Sequence, residues 1–115
     1  MSVTHLDSGN ILSQATVHNG VVYVCGLTAD DLNGDVTAQT KQVLAKIDDR
    51  LAQCGSDKSR ILMATLYLTD MNNKAPMNDV WTVWLGDLER PARACVGTDL
   101  GPGVLVEIVV NAAQS

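Results

Sequence analysis

Residues 90–113 read RPARACVGTDLGPGVLVEIVVNAA. Two strand-like segments, 90–96 and 104–113, flank a linker rich in glycine and proline. Each carries one charge in a run that is otherwise small or apolar: Arg93 in the first, Glu107 in the second. Burying an unpaired charge costs several kcal/mol, so a charge placed there needs a partner or a use. Residues alternate faces along a strand, so Arg93, Cys95 and Gly97 share one face, and Leu105, Glu107 and Val109 share another. The linker Asp99-Leu100-Gly101-Pro102-Gly103 predicts an antiparallel hairpin. With Thr98 opposite Val104, Cys95 opposes Glu107 and Arg93 opposes Val109. Arg93 and Glu107 are then diagonal neighbours on one face, within about 7–8 Å. A one-residue slip puts them on opposite faces. At this spacing the pair reads equally as a site or as a structural ion pair closing the hairpin.

Working outward, Asn19-Gly20 separates two strand-like runs, 13–18 and 21–27, and is a strong hairpin signal. Residues 29–35 are polar and hold Gly34, which predicts a loop. In 36–54 the apolar residues Val43, Leu44, Ile47 and Leu51 fall at helical spacing, and Gly55 follows as a stop. Residues 60–70 alternate as a strand, with Leu62, Ala64, Leu66 and Leu68 on one face and Met63, Thr65, Tyr67 and Thr69 on the other. Asn72 and Asn73 are capping candidates for a second helix, with Pro76 in its first turn and Met77, Val80, Trp81 and Trp84 as its apolar stripe. Gly86 marks its end. The order β-β-α-β-α-β-β predicts an α+β fold, one mixed sheet with both helices on one face. The other sheet face then needs a cover, and the expected cover is another copy of the chain in a closed symmetric oligomer.

The 115 residues fit one domain spanning 1–115. There is no Phe, and only two Trp and two Tyr, so the core is aliphatic. The net charge is −5 with no basic stripe, which disfavours a protein that grips nucleic acid yet leaves room for a local anion pocket. Cys25, Cys54 and Cys95 are far apart with no CxxC pair, so no metal site is expected, and the odd count fits a reducing compartment. His5 and His18 lack metal or triad spacing. The N-terminus lacks a basic region followed by an apolar stretch, and no apolar run approaches a membrane span. The expected location is the cytoplasm, away from membranes.

Six stretches in order, SQATVHNGVVYVCG (13–26), QTKQVLAKIDDRLAQCGSDKSRI (39–61), ATLYLTDM (64–71), MNDVW (77–81), PARACV (91–96) and VEIVVNA (106–112), resemble the Rid (YjgF) family. The resemblance covers nearly the whole chain. The SDKSRI link and the Trp-rich second helix resemble its YoaB-like branch. This implies a chorismate-mutase-like homotrimer with clefts between subunits. It also implies hydrolysis of reactive enamines and imines, such as 2-aminoacrylate, to keto acids and ammonia without a cofactor. Motif by motif, Arg93 matches the family's carboxylate-binding arginine and Glu107 its acidic residue near the reacting water. Asn78 matches an asparagine of the second helix, Cys95 the residue whose backbone faces the ligand, and Gly26 the glycine ending the second strand. Two positions depart from the pattern. Leu12 stands where the family carries Tyr, and Cys25 where it often carries Ser. Loss of the phenol removes a proton-handling or stacking group.

The chemistry asks little of a protein. An imine of a 2-keto acid is already electrophilic, so the enzyme must hold it, keep its nitrogen protonated and aim a water. The guanidinium fork of Arg93 suits a carboxylate, and Glu107 suits the water. Read without the family, Cys25 and Cys95 are small buried hydrophobes, Asn78 is a surface amide, and Trp81 and Trp84 are core or interface. Three functions follow: an imine deaminase acting on a small carboxylate, a trimeric carboxylate-binding sensor, or an RNA-cleaving or translation-inhibiting protein. The acidic balance disfavours the third.

Overall fold

The polypeptide, described over residues 2–115 in a computed structural model, forms six strands and two helices. They are β1 (Thr4–Leu6), β2 (Ala15–His18), β3 (Val21–Leu27), α1 (Val36–Gln53), β4 (Ile61–Leu68), α2 (Lys74–Leu85), β5 (Ala92–Gly97) and β6 (Val106–Ala113). All six strands join one sheet in the order β1-β2-β3-β6-β4-β5. Every neighbouring pair is antiparallel except β4–β5. β2 and β3 form the expected hairpin, with Asn19 and Gly20 both at positive φ, 52° and 75°, as a tight two-residue turn requires. Strand β1, which no sequence signal marked, extends that hairpin at the sheet edge.

The expected hairpin of 90–113 does not form. β5 and β6 are separated by β4, which pairs with both. The reason lies in the connections. Parallel strands need a crossover, and α2 carries the chain from β4 to β5 so that β5 lies parallel beside β4. The chain then passes over to β6, which fills the slot between β3 and β4 and runs antiparallel to each. The linker between β5 and β6 is therefore a cross-sheet connection, and Cys95 lies opposite Leu66 rather than Glu107.

Both helices cover one sheet face. Val22, Val24 and Leu27 of β3, Ala64, Leu66 and Leu68 of β4, and Val106, Ile108, Val110 and Ala112 of β6 point to them and are buried with Val43, Leu44, Ile47, Leu51, Met77 and Leu85. Strand β4 keeps the expected alternation except at its start. A register irregularity between Ile61 and Met63 buries Ile61 and leaves Leu62 52% exposed. The opposite sheet face holds Met63, Thr65, Tyr67, Glu107, Val109 and Asn111, all half-buried, with Tyr23 exposed. No described residue of the chain covers it.

One buried polar residue ties the loops at this end of the sheet. Gln39 of α1 is fully buried, and its side-chain amide donates to the carbonyls of Leu32, Gly34 and Gly103 while its oxygen accepts from the Leu105 N–H. It thereby fixes the entry to β6, two residues before Glu107.

Candidate functional site

The sequence-predicted residues divide into two groups. The first is built on β3 and β6. Between Val24, opposite Val110, and Leu27, opposite Ile108, two residues of β3 face one residue of β6. This is a β-bulge, and it places Cys25 and Gly26 where the strand bends. The Glu107 side chain lies against Gly26 so closely that a Cβ there would collide with its carboxylate. Glycine at 26 is thus the space that the Glu107 carboxylate occupies. Leu12, Cys25, Ser13, Tyr23, Thr16 and His5 line an adjacent cleft of about 470 Å³, with Leu12 half-exposed in its wall.

Gln14, passed over in the sequence, organises this side. Its backbone carbonyl accepts from the Cys25 N–H at 3.0 Å, and its side-chain oxygen accepts from Arg50 Nε at 3.2 Å. Arg50 and Lys46 of α1, four residues apart, bring positive charge toward Cys25. Burial nevertheless dominates and pushes the Cys25 thiol above its ordinary range; Arg50 and Lys46 offset it in part. A thiol shifted upward is a poor nucleophile at neutral pH. Cys54, buried away from both groups, is likewise pushed up by desolvation.

The second group is built on β5 and α2. Arg93 lies opposite Ala64 and Cys95 opposite Leu66, so both share the helix-covered face. Cys95 packs against the core. The Arg93 guanidinium stands over the Trp81 ring, 5.4 Å from its centroid. Asn78 is one turn before Trp81 on α2, and its side-chain oxygen is buried with no hydrogen-bond partner among the described residues. A buried acceptor left open in this way is costly unless something donates to it.

Arg93 and Glu107 do not meet. Glu107 lies opposite Tyr67 and Arg93 opposite Ala64, and these two β4 residues point to opposite faces. Across two strand spacings and three residues, their Cα atoms are roughly 10 Å apart in each in-plane direction. The diagonal pairing expected from the hairpin is overturned by the inserted β4. Neither residue forms an ion pair with any described residue; the three ion pairs present are Lys46–Asp30, Arg50–Asp49 and Arg60–Asp57. The reading as a structural ion pair falls with the hairpin.

Comparison with known proteins agrees with the fold. The family model described as Endoribonuclease L-PSP matches residues 4–114. A RutC family protein of Haemophilus ducreyi is 41% identical over 112 residues, covering 96% of each chain. The RutC family protein YoaB of Escherichia coli K12 is 37% identical over 114 residues, covering 98% of this chain and 99% of that one. The crystal structure of a YjgF-family protein from Neisseria meningitidis superposes with a TM-score of 0.93 at 39% identity, covering 100% of this chain and 97% of the other. With the whole sheet, both helices and nearly every residue accounted for in these matches, the chain belongs to the YjgF/Rid family.

Proposed function

We propose that the protein is an enamine/imine deaminase that hydrolyses reactive imines of small 2-keto acids in clefts between the subunits of a homotrimer. The observation that carries this reading is the separation of Arg93 and Glu107. They lie on opposite faces of one sheet, two strands apart, and neither has an ion-pair partner among the described residues. They can act on one small molecule only if a second copy brings its Glu107 face to the Arg93 edge. The uncovered sheet face and the exposed edge strand β5 supply surfaces for that contact.

In such a cleft the Arg93 fork holds the substrate carboxylate through two parallel hydrogen bonds. Glu107 takes a proton from water as the oxygen adds to the C=N carbon, and returns it to nitrogen. The hydroxyl proton is then given up, through Glu107, as the C–N bond breaks, and keto acid and ammonia leave. The step consumes one water and needs no oxidant or reductant. Asn78 offers a buried acceptor on α2, one turn from the Trp81 ring that Arg93 stands over, and Leu12 and Cys25 give the cleft an apolar wall.

One observation favours a second reading, a trimeric sensor that binds a small carboxylate without turnover. Leu12 stands half-exposed in the cleft wall where the family carries a phenol, so one proton-handling group is missing. The family model's endoribonuclease description does not transfer as readily, because the chain carries a net charge of −5 and no basic stripe.

The two readings separate in one assay. Imines are generated in place from several amino acids with an amino-acid oxidase, and their decay is followed with wild type, Arg93→Ala and Glu107→Gln. Turnover requires wild type to outpace buffer, and Glu107→Gln to slow decay by roughly 10²-fold while keeping keto-acid affinity. Arg93→Ala abolishes binding of pyruvate or 2-oxobutyrate, and Arg93→Lys does not fully restore it, since an ammonium lacks the fork. Wild type no faster than buffer, with tight keto-acid binding, selects the sensor.

A further inference from the structure

Arg93 sits on the edge strand β5, with a sheet neighbour on one side only. A long side chain in that place has many rotamers to lose before it can grip anything, and freezing it costs roughly a factor of ten or more in affinity. No carboxylate of a described residue holds it. What does hold it is an aromatic face. Its Cζ is 5.4 Å from the Trp81 centroid, inside the range where a cation is attracted to an indole.

The indole is itself braced. Trp81 is 5% exposed and packs against Trp84 at 5.6 Å between centroids with the planes tilted by 47°. The Trp84 indole N–H donates to Asp48 Oδ2 of α1 at 2.9 Å. Lys58 donates to the Trp84 carbonyl at 2.6 Å and places its ammonium 5.2 Å from the Trp84 centroid. A continuous path thus runs from Asp48 on α1 through Trp84 and Trp81 to Arg93. Stacking engages the flat face of a guanidinium and leaves its edge, the N–H fork, free.

We infer that Trp81 is the positioning residue for the carboxylate-binding arginine: its ring is the floor on which the Arg93 guanidinium lies, with the fork held ready for a carboxylate. This rests on the proposed role of Arg93 and adds to it a residue that touches no reacting atom. It also explains an aromatic residue at a half-covered sheet edge in a chain with only four aromatics.

The test uses full-length protein and pyruvate as probe, with affinity read by calorimetry. Trp81→Leu weakens pyruvate binding by about tenfold, the scale of one partly desolvated cation–π contact, and Trp81→Phe recovers most of it. Trp81→Leu made on Arg93→Lys costs less than on wild type, because an ammonium keeps the attraction to the ring but has no planar fork to orient. Since a buried Trp→Leu change can damage folding, a second measurement avoids it. In Trp84→Phe protein, Trp81 is the only tryptophan, and biosynthetic incorporation of increasingly fluorinated tryptophan drains the ring's negative face with little change of shape. Pyruvate affinity then falls stepwise with fluorine number while the melting temperature stays level. Affinity that does not depend on fluorination, with Arg93→Ala still abolishing binding, overturns the role of Trp81 alone. Pyruvate affinity unchanged in Arg93→Ala overturns the carboxylate reading and the role of Trp81 with it.

Discussion

Strands β5 and β6 each carry one charge with no ion-pair partner among the described residues, and the sheet treats them differently. β6 is central, hydrogen-bonded to β3 and β4, and entered through the four hydrogen bonds of buried Gln39. Glu107 is fixed there by backbone: a bulge, a glycine and the two strands beside it. β5 is an edge strand with one parallel neighbour, and the Arg93 guanidinium stands over the Trp81 ring. The carboxylate is built into the centre of the fold, whereas the guanidinium is mounted on an edge strand with a free side. The contrast indicates how one small sheet can supply both halves of a site without neutralising them against each other.

The contrast breaks first at Gly26. Gly26→Ala puts a methyl group where the Glu107 carboxylate lies, and a carboxylate at the end of a flexible side chain can swing away. The expected result is a folded protein with nearly unchanged melting temperature and imine hydrolysis slowed about 10²-fold, as for Glu107→Gln, because an angstrom of misplacement costs on that scale. Keto-acid affinity measured by calorimetry should stay within about threefold, since Arg93 is undisturbed. Gly26→Ala acting instead on affinity would place the two charges in one unit and erase the distinction.

Gln39 sharpens the comparison from the stability side. Gln39→Leu leaves three carbonyls and the Leu105 N–H without their partner. The expected loss is about 2 kcal/mol by urea denaturation, less than four full desolvation penalties because loop carbonyls can turn to water. A change at the edge, such as Val96→Ala on exposed β5, should cost under about 0.5 kcal/mol.

The smallest effect concerns Cys25, which lies between the bulge and the α1 cations. Its thiol is raised by burial, so at pH 7.5 it carries less thiolate than a free cysteine. Iodoacetamide labelling of a Cys54→Ala, Cys95→Ala protein should be slower than that of a small thiol. The rate should climb as pH rises through and beyond the usual thiol range. Labelling at neutral pH as fast as a free thiol would show that Arg50 and Lys46 outweigh burial.

Much of this was legible in the sequence. The apolar spacing of Val43, Leu44, Ile47 and Leu51 marks α1, and Asn19-Gly20 marks the first hairpin, because periodicity and turn chemistry are local. Glu107 in its apolar strand and Gly26 at the end of β3 were also visible. The pairing of β5 was not. Its linker has the composition of a hairpin loop, and nothing within 97–104 records that β4 occupies the slot beside β6. Parallel pairing through α2 is a long-range choice that local residues do not encode. β1 is three residues with no pattern, and the irregularity at Leu62 depends on how β4 meets the end of β6. The stack of Arg93 on Trp81 was hidden for the same reason, since it joins a helix to a strand placed by that crossover.

The central claim is that Arg93 and Glu107 serve one site from different copies of the chain. It is tested by mixing two dead variants. Arg93→Ala and Glu107→Gln are co-expressed with different tags, and the mixed oligomers are purified and assayed for imine hydrolysis. If each site takes its arginine from one copy and its glutamate from the next, every mixed trimer, whether two-to-one or one-to-two, holds one complete site in three. Activity near one third of wild type, from parents at about one hundredth of it or less, is the predicted result. Mixed oligomers as inactive as their parents would mean that both charges act within one chain, and would contradict the account.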